Sequence, residues 1–243
     1  MTSLSVHHVA ADEPNGPAVL LIHGLASRGR VDWPDAEWAA PLAAAGRDVY
    51  VVDLPAHGDA SRPVAPVTTT EVVDLLADVV ADAGGPVDVV AYSLGARLAW
   101  DLAGRSVAER PAVRRLVLGG LSPIEPFAMV DLAAARAALA GGPEPADPLT
   151  GMILGMARMP GLEPAAVLHL IEGLAAEPFD PAAAPPRVPV LLIGGALDPM
   201  AQGIDALAAG LADVRVVRVP GDHLEALHDP AFRAAAQAFL LAG

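Results

Sequence analysis

Residues 87–99 read VDVVAYSLGARLA, and the rest of the chain can be arranged around them. Val87, Val89 and Val90 form a short run of β-branched residues, the composition of a buried strand. After Ala91-Tyr92-Ser93-Leu94-Gly95, apolar residues return at helical spacing with Ala96, Leu98, Ala99, Trp100 and Leu102. A serine between a buried strand and a buried helix is the setting of a nucleophile elbow, a sharp turn that lifts the hydroxyl clear of the sheet. Such a turn demands small residues two before and two after the serine, and Ala91 and Gly95 occupy those places. The N–H of Leu94 would then open the helix, where negative charge is favoured. Ser93 as an ordinary helix N-cap is the alternative that these five residues leave open.

Outward from this unit, strand-like and helix-like runs alternate. Strands are expected near residues 18–22, 49–53, 87–91, 115–118, 190–193 and 214–219, and residues 4–10 could add an edge strand. Helical patterns fall near 35–45, 70–83, 96–103, 204–212 and 230–241. Continuous apolar strands between amphipathic helices predict an α/β fold, a mainly parallel central sheet flanked by helices. From 121 to 186 the alternation stops, leaving prolines, glycines and helical patches near 128–140, 149–159 and 164–174. The expected organisation is therefore a core of residues 1–120 and 187–243, interrupted by a helical cap insertion at 121–186. Such an insertion would lie at the carboxyl edge of the sheet, where ligands bind. Met152, Met156 and Met159 sit in it at helical spacing. They either pack the insertion onto the core or line a substrate pocket.

Bulk properties bound the function. A chain of 243 residues suits one α/β domain with an insertion, and 53% apolar residues provide a sizeable core. The formal net charge of −14, with no basic cluster, disfavours nucleic acid or an anionic membrane as partner. Cysteine is absent, which excludes disulfides, thiolate metal sites and a cysteine nucleophile. The start, MTSLSVHHVAADEPNG, lacks the pattern of a signal peptide, and the apolar runs are strand-length, so a cytoplasmic location is expected. Monomer and homodimer are equally compatible with this composition.

Acyl transfer by serine needs a base, an orienting acid and oxyanion donors, usually from distant parts of a chain. His23-Gly24-Leu25 follows the 18–22 strand, where a glycine lets the backbone turn the Leu25 N–H toward a bound carbonyl. With the Leu94 N–H it would form a two-donor oxyanion hole. His23 itself reads as a structural hydrogen bonder of that loop. Asp198 lies just past the 190–193 strand and could orient a histidine, or simply start a turn before Pro199. Glu125, after the strand that precedes the insertion, is the rival acid. His223 sits in a glycine-containing loop between the last strand and the last helix, and a histidine there can take and return a proton near neutral pH. His228 competes with it but is expected to start the following helix. His7, His8, His57 and His169 lack a comparable setting and read as structural or surface residues.

Ser93, Asp198 and His223, in that chain order and each at a strand's carboxyl end, resemble the α/β-hydrolase superfamily. The stretches IHGLAS, VVDLPAHGDA, VVAYSLGARLA, LLIGGALDP and PGDHLEALHDPAF carry the resemblance over nearly the whole chain. It implies a sheet of eight strands or slightly fewer with a helical cap, Ser93 as nucleophile, His223 as base and Asp198 as its orienter. No cofactor or metal is implied. Ala91, Ala56 and Ala96 replace glycines usual in the family, each adding a methyl group that small backbone shifts could absorb, and the N-terminal hairpin looks shortened. The expected activity is that of a serine hydrolase, a carboxylesterase-like enzyme acting on a small, largely apolar acyl substrate. Tyr92-Ser93-Leu94-Gly95 followed by Arg97-Leu98 is also similar to the menaquinone-pathway synthases of this fold, which eliminate pyruvate from an anionic substrate. That similarity makes carbon–carbon cleavage the alternative activity, and Arg97 either a ligand for a substrate carboxylate or a structural ion pair. Tyr92, Met152 and Met156 are further candidates for substrate contact, and a catalytically silent binding protein is the third reading.

Overall fold

In a computed structural model, which describes residues 1–105 and 113–242, the strand before Ser93 is the centre of the molecule. The elements in chain order are β1 (Ser5–Val9), β2 (Val19–Ile22), α1 (Gly29–Asp32), α2 (Ala39–Ala44), β3 (Val49–Asp53), α3 (Thr69–Asp82), β4 (Val87–Tyr92), α4 (Leu94–Gly104) and β5 (Val113–Gly119). Helices α5 (Leu132–Leu139), α6 (Pro148–Ala157) and α7 (Pro164–Ala176) follow before β6 (Val190–Gly195). Then come α8 (Ile204–Ala209), β7 (Val214–Val219), α9 (His223–His228) and α10 (Pro230–Leu241). The seven strands form one sheet in the order β1-β3-β2-β4-β5-β6-β7, parallel except for β1, which runs antiparallel to β3. The expected α/β architecture is thus present, with β1 alone at the shortened N-terminal edge.

Period-two geometry divides each inner strand between two cores. Leu20, Ile22, Val89, Ala91, Leu116, Leu118, Val190 and Leu192 turn toward α3, α4, α7 and α8. Val19, Leu21, Val90, Tyr92, Val117, Leu191 and Ile193 turn the other way, toward Trp33, Trp38, α9 and α10. Because both faces are covered, these strands read as unbroken apolar runs rather than as alternating ones. On the second face Phe232 is fully buried, with ring centroids 6.1 Å from Trp38 and 5.7 Å from Tyr92.

Helix ends follow local chemistry. Thr68 and Glu71 form a capping box at α3, and Asp229 caps α10 ahead of Pro230, so both helices begin near their expected positions. The pattern at 35–45 yields only Ala39–Ala44, since Pro41 has no N–H to donate and is tolerated only within a first turn. The segment 128–140 is helical from Leu132, where Asp131 accepts the Ala134 N–H. His228 ends α9 instead of starting a helix, a correction to the sequence reading.

Between β5 and β6 the described chain contains only helices and turns. Helix α7 lies against the loop before α3, and a Cβ at Gly173 would fall 1.9 Å from the Val67 carbonyl oxygen. No helix among the described residues is long and apolar enough to cross a membrane.

At the amino-terminal ends of the strands, fully buried Asp88 receives Nη2 of Arg47, and Nη2 and Nε of Arg114 at 2.6 and 2.8 Å. Arg47 is itself buried. Removing a partner from such a cluster leaves an uncompensated charge in the interior. Asp88→Ala should therefore lower the free energy of unfolding by about 3–5 kcal/mol, read from the midpoint and slope of a urea denaturation curve.

Candidate active site

Ser93 links β4 to α4 with φ 52° and ψ −114°, a conformation that costs a non-glycine residue on the order of 1–3 kcal/mol. Its neighbours hold it there. The Ser93 N–H donates to the Gly119 carbonyl at 2.8 Å, and its carbonyl accepts the Arg97 N–H at 3.1 Å. Gly95 is required because a Cβ there would fall 2.5 Å from the Ile22 carbonyl oxygen and 2.6 Å from that of His23. Ala91 and Ala96 are fully buried without positive φ, so their methyls fit. Ala56 differs, since it adopts φ 70°, where a Cβ costs about 1–2 kcal/mol.

The hydroxyl of Ser93 lies 3.0 Å from Nε2 of His223, and Nδ1 of His223 lies 2.8 Å from Oδ2 of Asp198. Asp198 is fully buried, and its Oδ1 accepts the Met200 N–H at 2.8 Å. A carboxylate at Nδ1 assigns the proton to that nitrogen and leaves Nε2 free to accept from Ser93. His223 is the first residue of α9, whose start is fixed by the Asp222–Glu225 capping box. Its carbonyl accepts the Tyr92 hydroxyl at 2.6 Å. Tyr92 thus belongs to the support of His223, on the opposite face of β4 from the cleft, and this corrects its reading as a substrate contact. Burial raises its phenol well above the ordinary range.

The loop carrying Leu25 is held from three sides. The Gly24 N–H donates to Oδ2 of buried Asp32 at 2.9 Å, and the Ser27 hydroxyl donates to Oδ1. Nε2 of His23 accepts the Leu54 N–H at 3.0 Å, so its Nδ1–H donates to the Gly24 carbonyl at 2.6 Å. His57 repeats the pattern, accepting the Ala26 N–H at 3.0 Å and facing the Pro55 carbonyl at 2.9 Å. Burial and the adjacent His57 push His23 down to about 3, and burial pushes His57 down to about 4. Burial raises the Asp32 carboxyl, against the pull of its Ser27 and Gly24 bonds. A Cβ on Gly24 would lie 3.4 Å from that of Ser93, so this loop flanks the hydroxyl closely.

A cleft of about 340 Å³, open mouth included, lies over Ser93 and Leu94 and is walled by Arg97, Glu125, Phe127, Phe179 and Met200. Glu125 does not approach His223. Its Oε2 lies 2.8 Å from Nη1 of Arg97, and its oxygens accept the N–H groups of Phe127 and Phe179 at 2.8 and 2.9 Å. Met152 is 53% exposed and Met156 packs partly buried against the core, and neither lines the cleft. Their helical spacing places α6 correctly but turns them away from the site. Phe127, Phe179, Met200 and Asp32 were missed by sequence reasoning. Only the two phenylalanines left a signal, as two of four in the chain, both within 121–186. Among the described residues no cluster of His, Asp or Glu could hold a metal ion.

The model of the alpha/beta hydrolase family matches residues 19–237. A hydrolase from Pseudomonas aeruginosa PA01 is similar over 98% of this chain and 94% of its own, with TM-score 0.74 and 24% identity. A thermophilic esterase from Thermogutta terrifontis covers 98% and 92%, with TM-score 0.73 and 21% identity. The enol-lactonase from Burkholderia xenovorans LB400 covers 98% and 96%, with TM-score 0.69 and 22% identity. At these identities the likeness is one of fold. No curated protein matches the sequence.

The two buried imidazoles make stability depend on pH. Both are neutral when folded and titrate near 6.5 when unfolded, so the unfolded chain binds more protons below that pH. Their contribution is complete above pH 6.5 and is lost as pH falls toward 4 and then 3. Asp101, raised by burial to about 6, and Asp32 act in the opposite sense, so the contribution of His57 is best read by difference. His57→Gln can still accept the Ala26 N–H through its amide oxygen. The variant should flatten the rise of unfolding free energy with pH by up to about 1.4 kcal/mol per unit between roughly pH 4 and 6.5. Denaturant melts across that range measure the difference.

Proposed function

The chain belongs to the alpha/beta hydrolase family, and from that premise we propose that it is a cofactor-independent serine hydrolase cleaving small carboxylic esters. One observation carries the reading: His223 bridges the Ser93 hydroxyl at 3.0 Å and the buried Asp198 carboxylate at 2.8 Å. In this reading Ser93 Oγ attacks the ester carbonyl as its proton passes to Nε2 of His223. Asp198 holds the imidazole in its tautomer and stabilises the imidazolium. The Leu25 and Leu94 N–H groups receive the tetrahedral oxyanion, Leu94 from the first turn of α4 and Leu25 from the loop held by Asp32, His23 and His57. Collapse expels the alcohol, which takes the proton from His223 and leaves Ser93 acylated. A water then gives a proton to His223 and attacks the acyl carbonyl, and collapse of the second intermediate returns the proton to Ser93 and frees the acid.

A small, largely apolar acyl group suits the cleft, since Leu94, Leu121, Ile124, Phe127, Phe179 and Met200 are among its lining residues. Carbon–carbon cleavage of an anionic substrate is less well supported, because the cleft's arginine already has a carboxylate partner.

Hydrolysis of p-nitrophenyl butyrate tests the proposal. Ser93→Ala should lower turnover by about 10⁴-fold or more, and Asp198→Asn by about 10³–10⁴-fold, with both variants folded by circular dichroism. Undiminished turnover by folded Ser93→Ala would remove Ser93 from the chemistry.

A further inference from the structure

The polar end of the cleft is a buried charge cluster that the triad does not use. Arg97 and Glu125 are 4% and 8% exposed in their side chains. The contact of Nη1 with Glu125, 2.8 Å long, is a charge contact rather than an aligned hydrogen bond. Nη2 of Arg97 is consumed by Thr69 Oγ1, the Leu174 carbonyl and the Glu177 carbonyl at 3.0, 3.1 and 2.7 Å. The Phe127 ring lies 5.7 Å from the guanidinium carbon and covers one face. Asp101 and Glu177 add further negative charge within reach of the same arginine. Among the described residues that line the cleft, Arg97 is the one arginine or lysine.

We propose that the cleft selects uncharged substrates, and that Glu125 sets this selectivity by neutralising Arg97. The inference deepens the ester-hydrolase reading and rests on it. A carboxylate entering the cleft must shed its water. It would meet an arginine whose charge is balanced at contact distance by Glu125 and whose Nη2 is already bonded, while Nε and Nη1 are buried without an aligned hydrogen bond. Acidic groups just behind that arginine oppose a further anion. An alkyl group of the same shape loses no hydration and gains contact with Phe127 and Phe179. Glu125 therefore discriminates by charge and, through its bonds to the Phe127 and Phe179 N–H groups, also fixes where those rings stand.

Methyl butyrate and monomethyl succinate form the test pair, since the second replaces a terminal methyl by a carboxylate. Methanol release should give the wild type a kcat/KM ratio in favour of methyl butyrate of about tenfold or more. Glu125→Gln, confirmed folded by circular dichroism, should narrow that ratio by about fivefold or more as Arg97 regains a free charge. Equal or better use of monomethyl succinate by the wild type would overturn the proposal, as would an unchanged ratio in the folded variant. A second readout needs no turnover: saturation-transfer NMR of the two esters with Ser93→Ala should show preferential binding of methyl butyrate. If neither ester is hydrolysed but this binding order holds, charge selection stands and the hydrolase reading falls. Equal or reversed binding order overturns charge selection itself.

Discussion

The structure depends on one close approach between backbones, where the first turn of α4 meets the last carbonyls of β2. At Gly95 there is no room for a side chain between the two, because the Ile22 and His23 oxygens lie where a Cβ would be. Beside that contact Ser93 holds its positive φ. Strain of this kind persists only where the surroundings over-determine it. Here the over-determination comes from the Gly119 carbonyl below the elbow and from the parallel ladders of β2 and β5 on either side of β4.

Around this contact, buried polar side chains spend most of their bonds on backbone. His23, His57 and Asp32 spend their polar atoms largely on the N–H and carbonyl groups of residues 24–27 and 54–55. Tyr92 spends its hydroxyl on the carbonyl of His223. Arg97 and Glu125 tie α4 to both ends of the helical segment between β5 and β6, through Phe127 on one side and Phe179, Leu174 and Glu177 on the other. The shape of the cleft and the tether of that segment are consequently a single network.

Much of this was legible in the sequence, for identifiable reasons. Parallel strands announce themselves as short runs rich in apolar β-branched residues, so β2 to β6 and the more exposed edge strand β7 fell within two residues of expectation. Ser93, Asp198 and His223 were visible because each follows such a strand, so that knowing the strand places the side chain. Met152 and Met156 were legible as helical but not as facing away, since periodicity reports spacing and leaves the choice of face to the packing partner. Tyr92 could have been placed, because alternation along β4 puts it with Val90 beside α10. Helix α9 is too short for periodicity, and its signal was the Asp222–Glu225 capping pair. Asp32 and Phe179 act through partners up to 54 residues away, and Phe127 through Glu125 beside it, so beyond the presence of two phenylalanines in the insertion no pattern marked their roles.

The two apolar layers differ in how the chain must travel to build them. One begins with α3, β4 and α4, neighbours in sequence that make direct contact and need only short loops to close. The other cannot close until Phe232 and its helix reach Trp33 and Trp38, a span underlined by the 196 residues that separate Arg233 from Glu37 in their ion pair. Since loop-closure entropy grows with the length of chain enclosed, the layer of α3 and α4 costs less to close than the layer that needs α10. The Tyr92 bond to His223 spans both halves of the chain, so the imidazole comes under Ser93's reach only when that second layer has closed. The place of the His223 imidazole beside Ser93 is thus tied to contacts made by the last helix of the chain.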